Sequence, residues 1–557
     1  MQPTYRRVIG AWTMLFCSVS SIIGSGWLFS SYYSSQMAGP AAIISWIVAA
    51  VMVIIIAFTF SEISTLLSIP GGSSHFPHLT HGPLVSIVLS WISWLSVAVL
   101  PSIEVQAILQ YASFFFPSLL AAGAAHSGAG TLSHFGFFIA LVMMVLFSII
   151  NIYSLRWVIR FNNAITVWKI VIPVVAAIAL LSVNFHASNF VSHGGFMPTG
   201  WHGVLGAISA AGIVFAFNGF KTVVEMAGEA RNPKRTIPFA LIGSVVLCLI
   251  VYLLLQLAFL GAVPSSALNE GWTSLHFSGS ASPLITLLAG TGSVIILAVL
   301  YVNTVVAPMG AGLIYLTSSA RVLQAMSSNH QVPHFISLVN THGIPVRAIL
   351  INLTVGLIFF FPFPGWKEMV EFISSLMAFS YALGPICLLV LRYQLPNQRR
   401  LFKLPYVHVW SFSAFFICTL MCYWTGWTVI SKLALFLVAC MAFTLIYRTC
   451  SKRASEHALQ ILPSIWIWFY FGGLTLISYC GTFGGGHNLL PFGADFAAIA
   501  VLSIITLILA VRFRADDAWV QEKVKRLAKD GVTFNDDDIV GPGHTHPTQP
   551  VPLAVMK

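Results

Sequence analysis

Charged residues are scarce in this chain of 557 residues. Asp, Glu, Lys and Arg together make up 8% of it, whereas a soluble domain carries about 25%. Hydrophobic residues make up 57%, and the mean hydropathy is +0.87. So few charges cannot cover a globular surface in water, which excludes a soluble protein and predicts an all-α integral membrane protein in a lipid bilayer.

Other absences narrow the class of membrane protein. None of the eight cysteines pairs with another in an outer loop, which argues against a disulfide framework. The phosphate-binding pattern G-x-x-x-x-G-K-[ST] is absent, which excludes a nucleotide-driven pump. No catalytic cluster of His, Asp or Ser lies at one membrane face, and no loop is long enough for a signalling domain. We therefore expect neither an enzyme nor a sensor, and no cofactor.

Apolar runs predict about fourteen membrane spans, with both termini on the cytosolic side of the cytoplasmic membrane. All but four of the 27 lysines and arginines fall on that side. Lys367 and Lys432 fall outside, and Lys169 and Lys221 fall within spans. This asymmetry follows the positive-inside rule, so the net charge of +11 needs no nucleic-acid partner. The predicted spans, numbered 1 to 14 below, are residues 8–33, 41–67, 84–115, 134–154, 163–183, 203–228, 239–263, 284–318, 347–362, 367–391, 405–430, 432–448, 464–483 and 495–512.

Two spans contain matched interruptions. Span 1 contains I-I-G-S-G-W-L-F (22–29), and span 6, five spans later, contains F-A-F-N-G-F-K (215–221). Interrupted segments at corresponding places of two halves indicate a transporter binding site built on an inverted repeat. Glycine can also serve close helix packing in membranes, but the pairing of the two breaks favours a site.

These residues resemble the amino acid–polyamine–organocation permeases. The I-I-G-S-G-W-L-F stretch resembles the signature of that family's first helix. W-L-F and the P-S-I-E-V of span 3 resemble most a bacterial branch that includes proton-coupled aspartate symporters. Further matching stretches are F-A-F-N-G-F-K-T-V-V-E-M-A-G-E-A-R-N-P-K-R-T-I-P (215–238), S-S-A-R-V-L-Q-A-M-S-S-N-H-Q-V-P (318–333) and L-P-N-Q-R-R-L-F-K-L-P (395–405).

The resemblance implies a bundle-and-scaffold fold of two inverted five-helix repeats with broken helices 1 and 6. It also implies a secondary transporter that moves an amino acid by alternating access. A proton symporter is favoured, and an exchanger of the same fold is the alternative. The expected divisions are a twelve-helix core at 1–450 (repeats about 8–183 and 203–391), two additional helices at 451–514, and a partly disordered cytosolic tail at 515–557.

A broken helix suits a zwitterion because each half ends in unpaired backbone groups. We expect the N–H groups of Ser25 and Gly26 to bind the substrate carboxylate, with Gly24 allowing close approach. Carbonyls of Ile22 and of 215–218 should accept from the ammonium. The remaining predicted site residues of this break are Phe215, which the resemblance implies is a gate, Asn218 and Gly219.

Lys169 lies about 9 residues, or ~14 Å, beyond Arg160 along span 5. From that depth the ammonium group would not easily reach the polar interface of the membrane. We therefore expect Lys169 to have a functional role. Desolvation favours the neutral form of a buried lysine, and a lysine that gains and loses a proton can couple transport to protons. The resemblance implies the same, because proton-coupled members carry a lysine at the matching place.

Two further charged residues, Lys221 and Glu104, do not decide between acidic and cationic substrates. Lys221 could attract the side chain of aspartate or glutamate, or it could pair with Glu225 one turn away or with Glu104. Glu104 in span 3 could carry a second proton or bind a cationic substrate. Glu62 and Glu229 are expected to anchor inner loops and not to bind substrate.

His75, His78 and His81 lack the acidic or cysteine neighbours of a metal site, so we expect no metal there.

Overall fold

The computed structural model describes residues 9–529, except 70, 122–129, 154, 184, 278–282, 291–293, 341–343, 364 and 451–461. The part of the predicted tail at 530–557 lies outside the described residues. Those described form helices joined by turns, with two isolated bridges and no strand among them. The predicted all-α fold is confirmed.

Each predicted span contains helix. Spans 1, 3 and 6 are divided into shorter helices, span 8 contains the short α13 and the long α14, and α4 is a short helix that precedes span 3. The helices are α1 (Ala11–Ile22), α2 (Gly26–Ala38), α3 (Ala42–Leu66), α4 (Gly72–His81), α5 (Pro83–Ala98), α6 (Leu100–Ala112), α7 (His134–Tyr153), α8 (Leu155–Val183), α9 (Gly200–Ala210), α10 (Ile213–Ala216), α11 (Thr222–Glu225), α12 (Pro233–Ala262), α13 (Pro283–Ala289), α14 (Val294–Ser328), α15 (Val346–Phe359), α16 (Trp366–Gln394), α17 (Val407–Tyr423), α18 (Trp427–Cys450), α19 (Ile465–Cys480), α20 (Ala494–Arg512) and α21 (Asp517–Lys529).

Length and hydropathy alone identify fewer crossings than the apolar runs do. Eight of the described helical segments are long and apolar enough to cross a membrane, or nine if the pair α17 and α18, bent by 105°, counts as one span. The remaining spans are short or interrupted, as in α1 and α15. The count of fourteen therefore rests on the sequence pattern, while the structure supports a multi-pass membrane protein.

Both predicted interruptions are present. Helix α1 ends at Ile22, the Ile23 backbone leaves the helical region (φ −82°, ψ 80°), and α2 begins at Gly26. In span 6, α10 and α11 are separated by a turn of 3-10 helix at Asn218–Lys221. A second interruption lies earlier in span 6, at Gly212, whose φ of +79° is the left-handed conformation that favours glycine.

The last span and the tail helix fasten the connection between spans 2 and 3. This connection contains α4, and its His81 lies 3.1 Å from the carbonyl oxygen of Ala510 at the end of span 14. The N–H of Ala515 donates to Thr80 O, and Gln394 of span 10 donates to both Thr80 O and Ala515 O. Packing explains His81, and the described residues contain no group of three or more potential metal ligands.

Two carboxylates hold loops to spans, as the sequence predicts. Glu62 at the end of span 2 is fully buried; it forms ion pairs with Arg392 (2.7 Å) and Arg400 (3.2 Å) and accepts a hydrogen bond from the N–H of Leu404 (2.7 Å). Glu229, after span 6, is partly buried and pairs with Arg321 of α14 at 2.8 Å. These contacts join spans 2, 6, 8 and 10 at the end predicted to be cytosolic.

Replacing Glu62 with Gln should destabilise the protein by roughly 3–5 kcal/mol, because two arginine side chains lose a buried counter-charge. The measurement is the apparent midpoint of thermal unfolding in detergent. The matched control is Glu371→Gln, since the Lys367–Glu371 pair is 3.9 Å apart and partly exposed and such pairs contribute about 0–1 kcal/mol. Equal midpoints for the two variants would contradict the structural role of Glu62.

Candidate functional site

The two breaks lie side by side in the bundle, and the residues around them are buried. A Cβ on Gly219 would overlap the backbone of Ser21 and Ile22, so the turn in span 6 packs directly on the end of α1. A Cβ on Gly26 would lie 2.9 Å from Ala216. All ten predicted site residues are buried. The structure thus brings the breaks of spans 1 and 6 into one enclosed place, and there Gly219 provides close packing.

Tyrosine hydroxyls satisfy the carbonyls that the breaks release. The hydroxyl of Tyr252 in span 7 lies 3.1 Å from both Ile22 O and Ala216 O. Tyr315 of span 8 donates to Ser21 O. Carbonyls at the end of α1 and of α10 therefore meet donors in this arrangement, at the positions where we expect the substrate ammonium to bind.

Lys169 joins span 5 to span 1. Its Nζ donates to the carbonyl oxygen of Ser20 at 2.7 Å and to the Ser20 hydroxyl at 2.9 Å. Span 8 passes close by, because a Cβ on Gly310 would lie 3.0 Å from the same Nζ. The side chain is fully buried. A single ammonium thus lies where spans 1, 5 and 8 meet, one turn before the break in span 1.

Glu104 points into the break of span 1. A Cβ on Gly24 would overlap its Oε1, and the Ser25 hydroxyl and N–H interact with its carboxylate. Lys169 is the nearby positive charge that acts on it. The side chain is 1% exposed, and its Oε2 accepts no hydrogen bond within the described part of the chain. Of the three candidate partners of Lys221, Glu104 is therefore associated with Lys169 instead.

Four aromatic rings cover the α2 side of the break; we call Phe29, Tyr33, Phe215 and Trp366 the aromatic cluster. Trp366, the first residue of α16, stacks on Phe29 (centroids 4.6 Å apart) and on Tyr33 (5.9 Å), and Phe215 meets its edge (5.6 Å). The indole N–H of Trp366 donates to the hydroxyl of Ser25 at 3.0 Å. Phe215 is therefore one ring of a group that packs beside the break.

Lys221 and Asn218 form hydrogen bonds to span 10. The Nζ of Lys221 donates to Ser380 of span 10 and lies 3.4 Å from the hydroxyl of Ser93 in span 3. Glu225 is the negative charge that acts on it. Asn218 Oδ1 accepts from the hydroxyl of Tyr381 at 2.8 Å. Lys221 thus bridges three spans and lies close enough to Glu225 for charge attraction.

Sequence reasoning missed the tyrosines and the tryptophan that complete the site. Tyr252, Tyr315 and Tyr381 stand singly in apolar spans, and Trp366 precedes the charged stretch K-E-M-V-E. A buried tyrosine needs a partner for its hydroxyl, so isolated tyrosines at mid-span were the available signal. Their partners are backbone carbonyls and an amide on other spans, and no spacing along the chain reveals them.

Comparison with known proteins places these residues in a family context. Residues 9–443 match the family model described as "Amino acid permease". The chain is 32% identical over 514 residues to the glutamate/serine transporter AimA of Bacillus subtilis (strain 168), which covers 92% of this chain and 94% of that protein. It is 29% identical over 510 residues to the aspartate-proton symporter of the same organism, covering 90% and 96%. All ten predicted site residues lie within the matched range.

Replacing Gly219 with Ala should separate spans 1 and 6, because the added methyl group would collide with backbone atoms at positions 21 and 22. Overpacking costs about 1–3 kcal/mol, so we expect a lower thermal midpoint in detergent. Gly472→Ala is the control, since nothing lies within 4 Å of its new methyl group and alanine favours helix by up to about 1 kcal/mol. Indistinguishable midpoints would contradict the packing role of Gly219.

Proposed function

Because the chain belongs to the amino acid permease family, we propose that it is a secondary transporter that moves an amino acid together with protons by alternating access. Membership of this family supports the part of the proposal that concerns transport of an amino acid. The observation that carries proton coupling is the position of the Lys169 ammonium, between Ser20 of span 1 and Gly310 of span 8. We propose the cytoplasmic membrane as its location, with both termini in the cytosol.

Protonation of Lys169 would change how firmly span 1 is held. The charged ammonium makes two hydrogen bonds to Ser20, and bonds to charged groups contribute about 1.5–3 kcal/mol each. Since about 1.4 kcal/mol changes an equilibrium tenfold, loss of the proton is enough to shift the balance between two arrangements of span 1. Substrate binds at the end of this same span, so protonation and binding act on one moving element.

The substrate would lie across the two breaks. The first N–H groups of α2, at Ser25 and Gly26, have no acceptor within the helix and would bind the carboxylate. The carbonyls now contacted by Tyr252 and Tyr315 would accept from the ammonium. The aromatic cluster would close over the bound molecule. Glutamate, aspartate and serine are the first substrates to examine, because the similar proteins named above carry these names.

We propose that residues 1–450 form the transporter core, with 451–514 and the tail as additions. The described part of the additions contacts α4 and span 10. This arrangement allows the additions to influence the transport core without contributing to the breaks of spans 1 and 6.

Lys169→Ala should abolish accumulation of amino acid driven by a proton gradient, because no group remains to release span 1 on deprotonation. The measurement is uptake of labelled glutamate, aspartate and serine into proteoliposomes that are acidic outside and contain no amino acid. Lys432→Ala, at an exposed lysine, is the control and should retain uptake. Full accumulation by Lys169→Ala would refute the coupling role.

The same assay separates symport from exchange. A symporter accumulates substrate in liposomes that lack internal amino acid, whereas an exchanger requires amino acid inside. If the wild-type protein takes up substrate only when amino acid is inside the liposomes, whatever the proton gradient, that result would contradict proton symport and support exchange.

Lys221→Gln should raise the KM for glutamate and for serine by a similar factor, because Lys221 contacts Ser380 and Ser93 and is attracted to Glu225. Loss of this bridge between spans acts on every substrate alike. Competition between labelled serine and unlabelled glutamate measures the ratio of the two constants. A selective loss of glutamate would show instead that Lys221 binds the side-chain carboxylate of an acidic substrate.

A further inference from the structure

We infer that Glu104 occupies the place of the substrate carboxylate, so that substrate binds only after Glu104 has left the break in span 1. This inference rests on the transport function proposed above and specifies how its binding site is kept filled between substrates. In this role Glu104 competes with the substrate carboxylate for the start of α2, and it does not pair with the substrate ammonium.

Glu104 already lies at the start of α2. Oε1 of Glu104 lies so close to Gly24 that a Cβ there would overlap it. The carboxylate interacts with the Ser25 hydroxyl and N–H, which are the groups at the start of α2. An α-helix presents unpaired N–H groups and partial positive charge at this end. A carboxylate of the protein is therefore already at the point where a substrate carboxylate would bind.

Few other groups of the described residues hold this carboxylate in place. Its Oε2 accepts no hydrogen bond from any described residue, although the side chain is 1% exposed. The other polar groups that act on it are Lys169 of span 5, Tyr252 of span 7 and Tyr315 of span 8. Both tyrosine hydroxyls contact carbonyls of span 1. Removing Glu104 from the break would thus break few hydrogen bonds.

The charge of Glu104 excludes a second carboxylate from the same place. Two carboxylates cannot share one helix end without repulsion, because like charges near each other in a poorly hydrated place disfavour one another. A substrate carboxylate can therefore bind at the start of α2 only when Glu104 has moved away from it.

The consequence is a preference for substrates with a carboxylate. A substrate carboxylate can make the same hydrogen bonds at the start of α2 that Glu104 makes, so it can replace Glu104 there. An amine without a carboxylate cannot make these bonds, and Glu104 then stays at the start of α2. Removing the charge of Glu104 should consequently favour binding of the carboxylate-bearing compound alone, since hydrogen bonds to charged acceptors are about twice as strong as those to neutral ones.

Titration calorimetry on the purified full-length protein tests this competition with L-serine and with ethanolamine, which is serine without its carboxylate. In Glu104→Gln we expect a Kd for L-serine about three- to tenfold lower than in the wild type. No such gain is expected for ethanolamine. Glu104→Asp, which keeps the charge but shortens the reach to α2, should also bind L-serine more tightly. L-glutamate and 4-aminobutyrate serve as a second pair.

The control is Asp495→Asn, the same loss of charge at another fully buried carboxylate, which lies at the start of α20, away from the two breaks, and should leave the Kd for L-serine unchanged. An unchanged Kd in Glu104→Gln overturns the inference. Weaker binding of both L-serine and ethanolamine also overturns it and makes Glu104 a partner of the ammonium. Neither of these results would contradict proton-driven uptake by the wild-type protein. A wild-type protein that binds no amino acid would refute both the proposed function and this inference.

Discussion

A polar backbone group that leaves a helix inside a membrane must find another partner, and the site depends on this constraint. Lipid offers none, so an interrupted span is tolerated only where other spans supply donors and acceptors. Here Tyr252 and Tyr315 supply hydroxyls to carbonyls at the end of α1, and Tyr252 also reaches the carbonyl of Ala216 in span 6. The breaks and the spans around them are therefore one unit, and the same carbonyls are available to a ligand once the hydroxyls move.

Buried charge follows a related rule. Glu62 has two arginines and a backbone N–H, which suits a contact that holds spans together throughout the cycle. Lys169 donates two hydrogen bonds to Ser20, and Oε2 of Glu104 accepts no hydrogen bond from any described residue. Two opposite charges thus hold the anchor at Glu62, whereas fewer partners hold the two groups proposed to move.

Gly219 and Phe215 are predicted site residues because of their place in the broken span, and the resemblance implies that Phe215 is a gate. The structure gives Gly219 a packing contact with the end of α1 and makes Phe215 one ring of the aromatic cluster around Trp366. Gly212, which forms an additional interruption with positive φ, carried no local signal beyond being glycine. Each of these outcomes depends on which residues of distant spans happen to face the position.

The sequence by itself determined the membrane environment, the helical fold, the breaks at 24–26 and 215–221 and the depth of Lys169. These follow from local properties: the apolar content of a run, the low helix propensity of glycine, and the distance along a helix from a basic flank. Only the tertiary structure decided that Glu104 fills the break of span 1 and that Lys221 bridges to Ser380. Such pairings depend on how separate spans pack, because neighbours across the bundle lie tens to hundreds of residues apart in the chain and share no periodicity that reveals their contact.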